Sequence, residues 1–110
     1  MKETARFKSA EPFYTKEADG RKPNTIRYLE KTDPRHTLLM NWICTQEFGA
    51  IEIVGVKDYN HVEGFTREIT DVSLITKLMP PISGRDCFII SWKHPEPLFD
   101  IMPLFKAIKT

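Results

Sequence analysis

The sequence is short of most features that announce a function. It has only two cysteines, Cys44 and Cys87, and no CxxC pair. A zinc knuckle or redox dithiol is therefore excluded, and both thiols are expected as small buried hydrophobes in apolar runs. Its three histidines, His36, His61 and His94, are scattered with no second ligand at metal-binding spacing, so neither a metal nor another cofactor is expected. No charge sign dominates: 16 Lys and Arg face 15 Asp and Glu, for a net charge of +1. That balance excludes a protein that coats nucleic acid through global charge, and any basic site has to be local. No apolar run approaches the ~20 residues of a membrane helix, so no membrane partner is expected. The opening "MKETARFKSAEPF" lacks the apolar stretch of a signal peptide, and the expected location is cytoplasmic. Internal repeats and low-complexity tracts are also missing.

What remains is an ordinary globular composition. With 110 residues, 41% hydrophobic and 28% charged, the chain suits one domain with a modest core. Residues 1–10 are polar and read as loosely held or as an edge element. "PFYTKEADG" reads as a short helix, with Pro12 in its first turn and Gly20 at its end. "NTIRYL" follows as a strand that places Thr25 and Arg27 on one face and Ile26 on the other. "EKTDPRH" reads as a turn around Asp33-Pro34.

The apolar runs "TLLMNWICT" and "AIEIVGVKDY", separated by "QEFG", predict an antiparallel hairpin. "NHVEG" reads as the next connection. In "FTREITDV", a regular strand would place Arg67 and Asp71 beside Phe65 and Ile69, so this strand either borders a groove or is bulged. "SLITKLM" suggests a short helix stopped by Pro80-Pro81, and "CFIISW" a buried strand. Five or six strands with short helices make a mixed α+β, mainly β chain, suited to a small barrel that closes to remove its sheet edges.

The stretch "GRKPNTIR", residues 20–27, gathers three cations, a hydroxyl and an amide where a turn becomes a strand. It resembles the GxKxxTxR-type signature that opens ASCH domains, relatives of the RNA-binding PUA domains. "FTREITDV" and the later "GRDCFIISW" are similar to the closing half of ASCH-like domains found in bacteria and phages. The resemblance covers about residues 11–94 and leaves 95–110 as a C-terminal tail, expected to pack on the barrel. It implies a PUA-like β-barrel over residues 1–110 and a cleft beside the opening motif. The implied partner is RNA or a nucleoside or nucleotide ligand, with the chain a monomer or weak homo-oligomer.

One branch of the family hydrolyses the amide of N4-acetylcytidine with a threonine, a lysine and a glutamate. Carried over by position, the lysine and threonine fall on Lys22 and Thr25. The nearest carboxylate is Glu63 in "HVEG", with Glu68 as the alternative. The ligand-binding set expected beside them is Arg21, Lys22, Asn24, Arg27, Tyr28 and Arg67.

Physical chemistry sets the demands on these residues. Arg27 offers a planar fork for phosphate or carboxylate, and Lys22 adds a flexible point charge. The bland alternative is a solvated strand start. A threonine hydroxyl needs an adjacent base before it can act as a nucleophile. Tyr14, Tyr28 and Tyr59 are candidates for base stacking, whereas Trp42 and Trp92 sit in apolar runs that favour core packing. Arg21, Lys22, Arg27, Lys31 and Arg35 form either a local basic patch or a solvated loop, diluted by Glu30 and Asp33. A third expectation, from a different class, is an interaction module of phage or bacterial type that docks through its apolar tail.

Overall fold

The computed structural model describes residues 3–57, 60–75 and 84–94, with the side chains of 57 and 60–63 outside the description. The elements run β1 (Thr4–Ala10), α1 (Phe13–Ala18), β2 (Asn24–Glu30), α2 (Pro34–Thr45), β3 (Ala50–Lys57), β4 (Asn60–Ile75) and β5 (Arg85–Trp92). It is a mixed α+β architecture, mainly strand, built on one five-stranded sheet in the order β1-β3-β4-β5-β2. β1 runs parallel to β3, and the other three pairings are antiparallel.

The strands read from β-branched and aromatic content are in place: β2 carries "NTIRYLE" and β5 "RDCFIISW". The helix ending near Gly20 is also in place, as α1. Gly20 itself has φ +90°, a left-handed conformation that a side chain resists, and a Cβ there would collide with the His94 ring. Of the two alternatives for residues 1–10, the edge element is the one observed, because β1 closes one end of the sheet order.

The expected hairpin of "TLLMNWICT" with "AIEIVGVKDY" is overturned. The first run lies within α2, and β3 pairs instead with β1 and β4. Asp33 and Pro34, read as a turn, start the helix. The Asp33 carboxylate accepts from the Arg35 amide at 2.8 Å, and Pro34 takes the first helical position, where its missing N–H costs nothing. Leu39 and Trp42, three residues apart on one helical face, are buried. Gln46, in the left-handed region at φ 59°, ends the helix. Cys44 on this helix is exposed, contrary to expectation, while Cys87 is buried.

"NHVEG" is strand as well, because β4 runs unbroken from Asn60 to Ile75. "SLITKLM" does not form a helix over its first three residues, which end β4, and the rest of that stretch lies outside the described residues. Residues 95–110, the expected packing tail, lie outside them too, as does Tyr59.

β4 organises the molecule. Its first half pairs with β3 and its second half with β5, with a register shift between Ile69 and Asp71 at the changeover. The extra residue moves Asp71 off the buried face of Ile69, and Val72 takes the next buried position. Of the two alternatives for this strand, the register shift fits the bulge, while Glu68 and Ile69 also border a depression. The sheet and α2 share a core of Phe7, Leu29, Leu39, Trp42, Ile51, Ile53, Ile69, Phe88, Ile90 and Trp92, while the closed barrel expected from the sequence is not formed among the described strands. Trp42 and Trp92 pack there as expected. β1 and β2, the two ends of the order, are not joined by a ladder among the described residues. Side chains span the gap between them instead.

Candidate functional site

Among the described residues β1 and β2 each leave one backbone edge without a neighbouring strand, and such edges need partners or cover. Arg27, on β2, donates from Nη1 to the Lys8 carbonyl of β1 at 2.7 Å. Arg35, in the first turn of α2, donates from Nη1 to the Arg6 carbonyl at 3.0 Å. Carbonyls two residues apart on a strand point to the same side, so two guanidinium groups cover β1 where a strand would otherwise lie. Both pack over the Phe7 ring, at 5.1 and 4.7 Å from its centre.

A cavity of about 450 Å³ opens at this gap, lined by Ser9, Glu17, Lys22, Thr25 and Arg27 among others. Its floor is a connected hydrogen-bond network. Arg27 donates from Nε to the buried Thr25 hydroxyl at 2.9 Å and from Nη2 to the Ser9 hydroxyl. Ser9 donates to Glu17 Oε1 at 2.8 Å, and Lys22 Nζ donates to Glu17 Oε2 at 3.1 Å and to the Asn24 carbonyl at 2.8 Å. Glu17 is 1% exposed, and both of its oxygens accept hydrogen bonds, one from Ser9 and one from Lys22, as a buried carboxylate requires. Burial pulls the Arg27 guanidinium down from its ordinary value, and the Glu17 carboxylate pushes it back up. An arginine remains charged throughout the physiological range.

The rim is apolar. Phe13 (56% exposed), Ile26 (52%) and Tyr28 (42%) are the large hydrophobic side chains left most open among the described residues, and all three line this cavity. Cys87, opposite Tyr28 in the β2–β5 pairing, contributes most to raising the Tyr28 phenol above its ordinary value.

The structure thus brings together Lys22, Thr25, Arg27 and Tyr28 from the sequence-derived set, with Thr25 and Arg27 on the shared face expected of them. Lys22 Nζ is bonded to Glu17 and Asn24 rather than to the Thr25 hydroxyl. Arg21 stands apart, exposed and paired with Asp19 at 2.8 Å. Asn24 contributes its carbonyl rather than its amide. Arg67 lies elsewhere: it donates to the Thr66 and Ala18 carbonyls and stacks 4.6 Å from the Phe65 ring centre. Tyr14 also packs on Phe65, at 5.7 Å, instead of lining the cavity. Glu68 lines a separate depression of about 200 Å³ with Phe48 and Gly49. The Glu63 side chain lies outside the described residues.

Glu17, the carboxylate that joins Lys22, did not emerge from the sequence, and neither did Ser9 or Phe13. The available signal was position: Glu17 precedes Lys22 by five residues across a single turn, and Ser9 continues the inward alternation of Ala5 and Phe7. No protein-family model matches the chain, and no curated protein or solved structure is similar enough to it to carry an argument.

Proposed function

We propose that the chain is an ASCH-type, PUA-like domain that binds RNA or a nucleotide-like ligand in the cavity beside residues 20–27. The observation that carries this reading is the pairing of a bonded polar floor with an exposed apolar rim. A nucleobase has an apolar face and a polar edge, and single-stranded RNA is recognised by stacking together with edge hydrogen bonds. Phe13, Ile26 and Tyr28 offer surface for the face, and Lys22, Thr25 and Arg27 supply donors and acceptors for the edge. The PUA-like barrel belongs to the same proposal, with the β1–β2 gap as its mouth and Arg27 as the tie across it.

Binding of the four nucleosides and of short RNAs to wild type, Lys22→Ala and Arg27→Ala tests this. The expected loss on either substitution is about tenfold or more, the worth of one charge-assisted hydrogen bond. Equal affinity across the three proteins, or no binding to wild type, overturns it.

A second reading rests on Glu17. A threonine hydroxyl, a lysine amine and a carboxylate meet in one cavity, as hydrolysis of an N4-acylated cytidine requires. That reaction consumes water and releases the carboxylic acid and cytidine. Turnover of N4-acetylcytidine that is lost in Thr25→Ala and in Glu17→Gln supports it, and turnover surviving both removes these residues from the chemistry.

A further inference from the structure

A second cavity, of about 700 Å³, adjoins the first and shares Lys8 and Arg27 with it. Both fall within the ~300–1,000 Å³ of small-molecule sites. The second has a different character. Arg6, Lys8, Arg27 and Arg35 line it against one carboxylate, Glu52.

The partners of these cations show where charge is left over. Arg6 is paired with Glu52 beside it on β3, and Arg35 is paired with Asp33 at 2.7 Å. Lys8 stands on the outward face of β1, and its amine has no partner among the described residues. Arg27 gives its three hydrogen bonds to neutral oxygens: the Thr25 and Ser9 hydroxyls and the Lys8 carbonyl. Of its five N–H donors, two remain uncommitted among the described residues. The carboxylate whose field it feels, Glu17, is already held by Ser9 and Lys22. A half-buried guanidinium and a neighbouring ammonium, neither with a contacting counter-ion, leave two positive charges for an anion to meet.

We propose that the junction of the two cavities, at Lys8 and Arg27 with Arg6 and Arg35 behind them, is a phosphate subsite. The occupant of the first cavity is then a nucleoside phosphate rather than a free nucleoside. This inference rests on the proposed base-binding role of the first cavity. With a base between Phe13, Ile26 and Tyr28, a phosphate on the same nucleotide faces Lys8 and the free N–H groups of Arg27. The Arg6–Arg35 trough continues beyond that point along β1. A mononucleotide and an RNA strand share this chemistry, and strand length separates them.

Isothermal titration of cytidine, cytidine 5′-monophosphate, inorganic phosphate and a short oligocytidylate into the intact chain tests the subsite. The monophosphate is expected to bind about tenfold tighter than the nucleoside. That ratio is expected to fall to about twofold or less in the Arg6→Ala/Lys8→Ala double variant and to recover with Lys8→Arg, which keeps the charge. A further gain for the oligomer that weakens as salt is raised identifies a strand as the ligand, since phosphate contacts release counter-ions. No gain identifies the mononucleotide. Equal binding of cytidine and its monophosphate to wild type overturns the phosphate subsite and leaves the base cavity standing. Inorganic phosphate that binds wild type but not the double variant, with no nucleoside binding, keeps the subsite and overturns the base reading. Absence of all binding overturns both.

Discussion

The two sides of the sheet are held by different forces. Through β3, β4 and β5 the strands meet in backbone ladders interrupted only by register shifts, and apolar side chains line them: Ile51, Ile53, Phe88 and Ile90 are all fully buried. Across the gap between β1 and β2 there is no ladder among the described residues, and the join consists of Arg27, Ser9, Glu17 and Lys22, with Arg35 to one side. A ladder fixes strands by bonds the backbone has to make somewhere, whereas a side-chain network can exchange its partners for those of a ligand. The ladder side therefore carries the stability, and the gap is where the proposed ligand would exchange those partners.

The sharpest way to break this comparison is to truncate each side in turn. Phe88→Ala, at a position with no exposure and an edge-on contact to the His36 ring, is expected to cost about 3–5 kcal/mol in urea unfolding. On the gap side the expected costs are smaller and unequal. Lys22→Ala strands the buried Glu17 carboxylate with Ser9 alone and is expected to cost about 2–3 kcal/mol, reduced from a fully buried pair because Lys22 is partly exposed. Glu17→Gln removes the buried charge and leaves Lys22 its Asn24 carbonyl, for about 1 kcal/mol. Equal costs for the two variants would mean that the network is not organised around the buried carboxylate. A Phe88→Ala cost below that of Lys22→Ala would reverse the assignment of stability to the ladders.

The smallest expected effect concerns Asp33, which caps α2 and holds the arginine that covers the Arg6 carbonyl. Hydrogen bonds from the Arg35 side chain, more than from its amide, hold the Asp33 carboxyl below its ordinary value. A carboxyl depressed in the folded state adds stability that is present above its unfolded value of ~3.9 and is lost as pH falls through the lowered folded value. Asp33→Asn keeps a competent cap but lacks that charge, so the deficit is expected to be less than about 1 kcal/mol at pH 7. The gap between variant and wild type is then expected to close as urea unfolding is repeated down to pH 2. A gap independent of pH would show that the charge plays no part there.

How much of this was legible depended on whether the deciding contact was local. β2 and β5 could be read because β-branched and aromatic residues in short runs define a strand without outside help. "TLLMNWICT" is apolar nearly throughout and fits either period; the Asp-Pro pair upstream settles the matter, since Asp33 caps and Pro34 opens a helix. β4 was cut short because Gly64 in "HVEG" resembles a turn residue, although it lies in a strand opposite Val54. Lys22, Thr25 and Arg27 were legible as a group because turn and strand geometry places them within a few residues of one another. Glu17 was not. A charged residue in a short helix ordinarily faces water, and its burial depends on Ser9 from a strand eight residues earlier.

The shift in β4 has a mechanical consequence. One strand belongs to both halves of the sheet, so a change of twist at the irregularity between Ile69 and Asp71 would alter the separation of β1 and β2, the two ends that Arg27 joins.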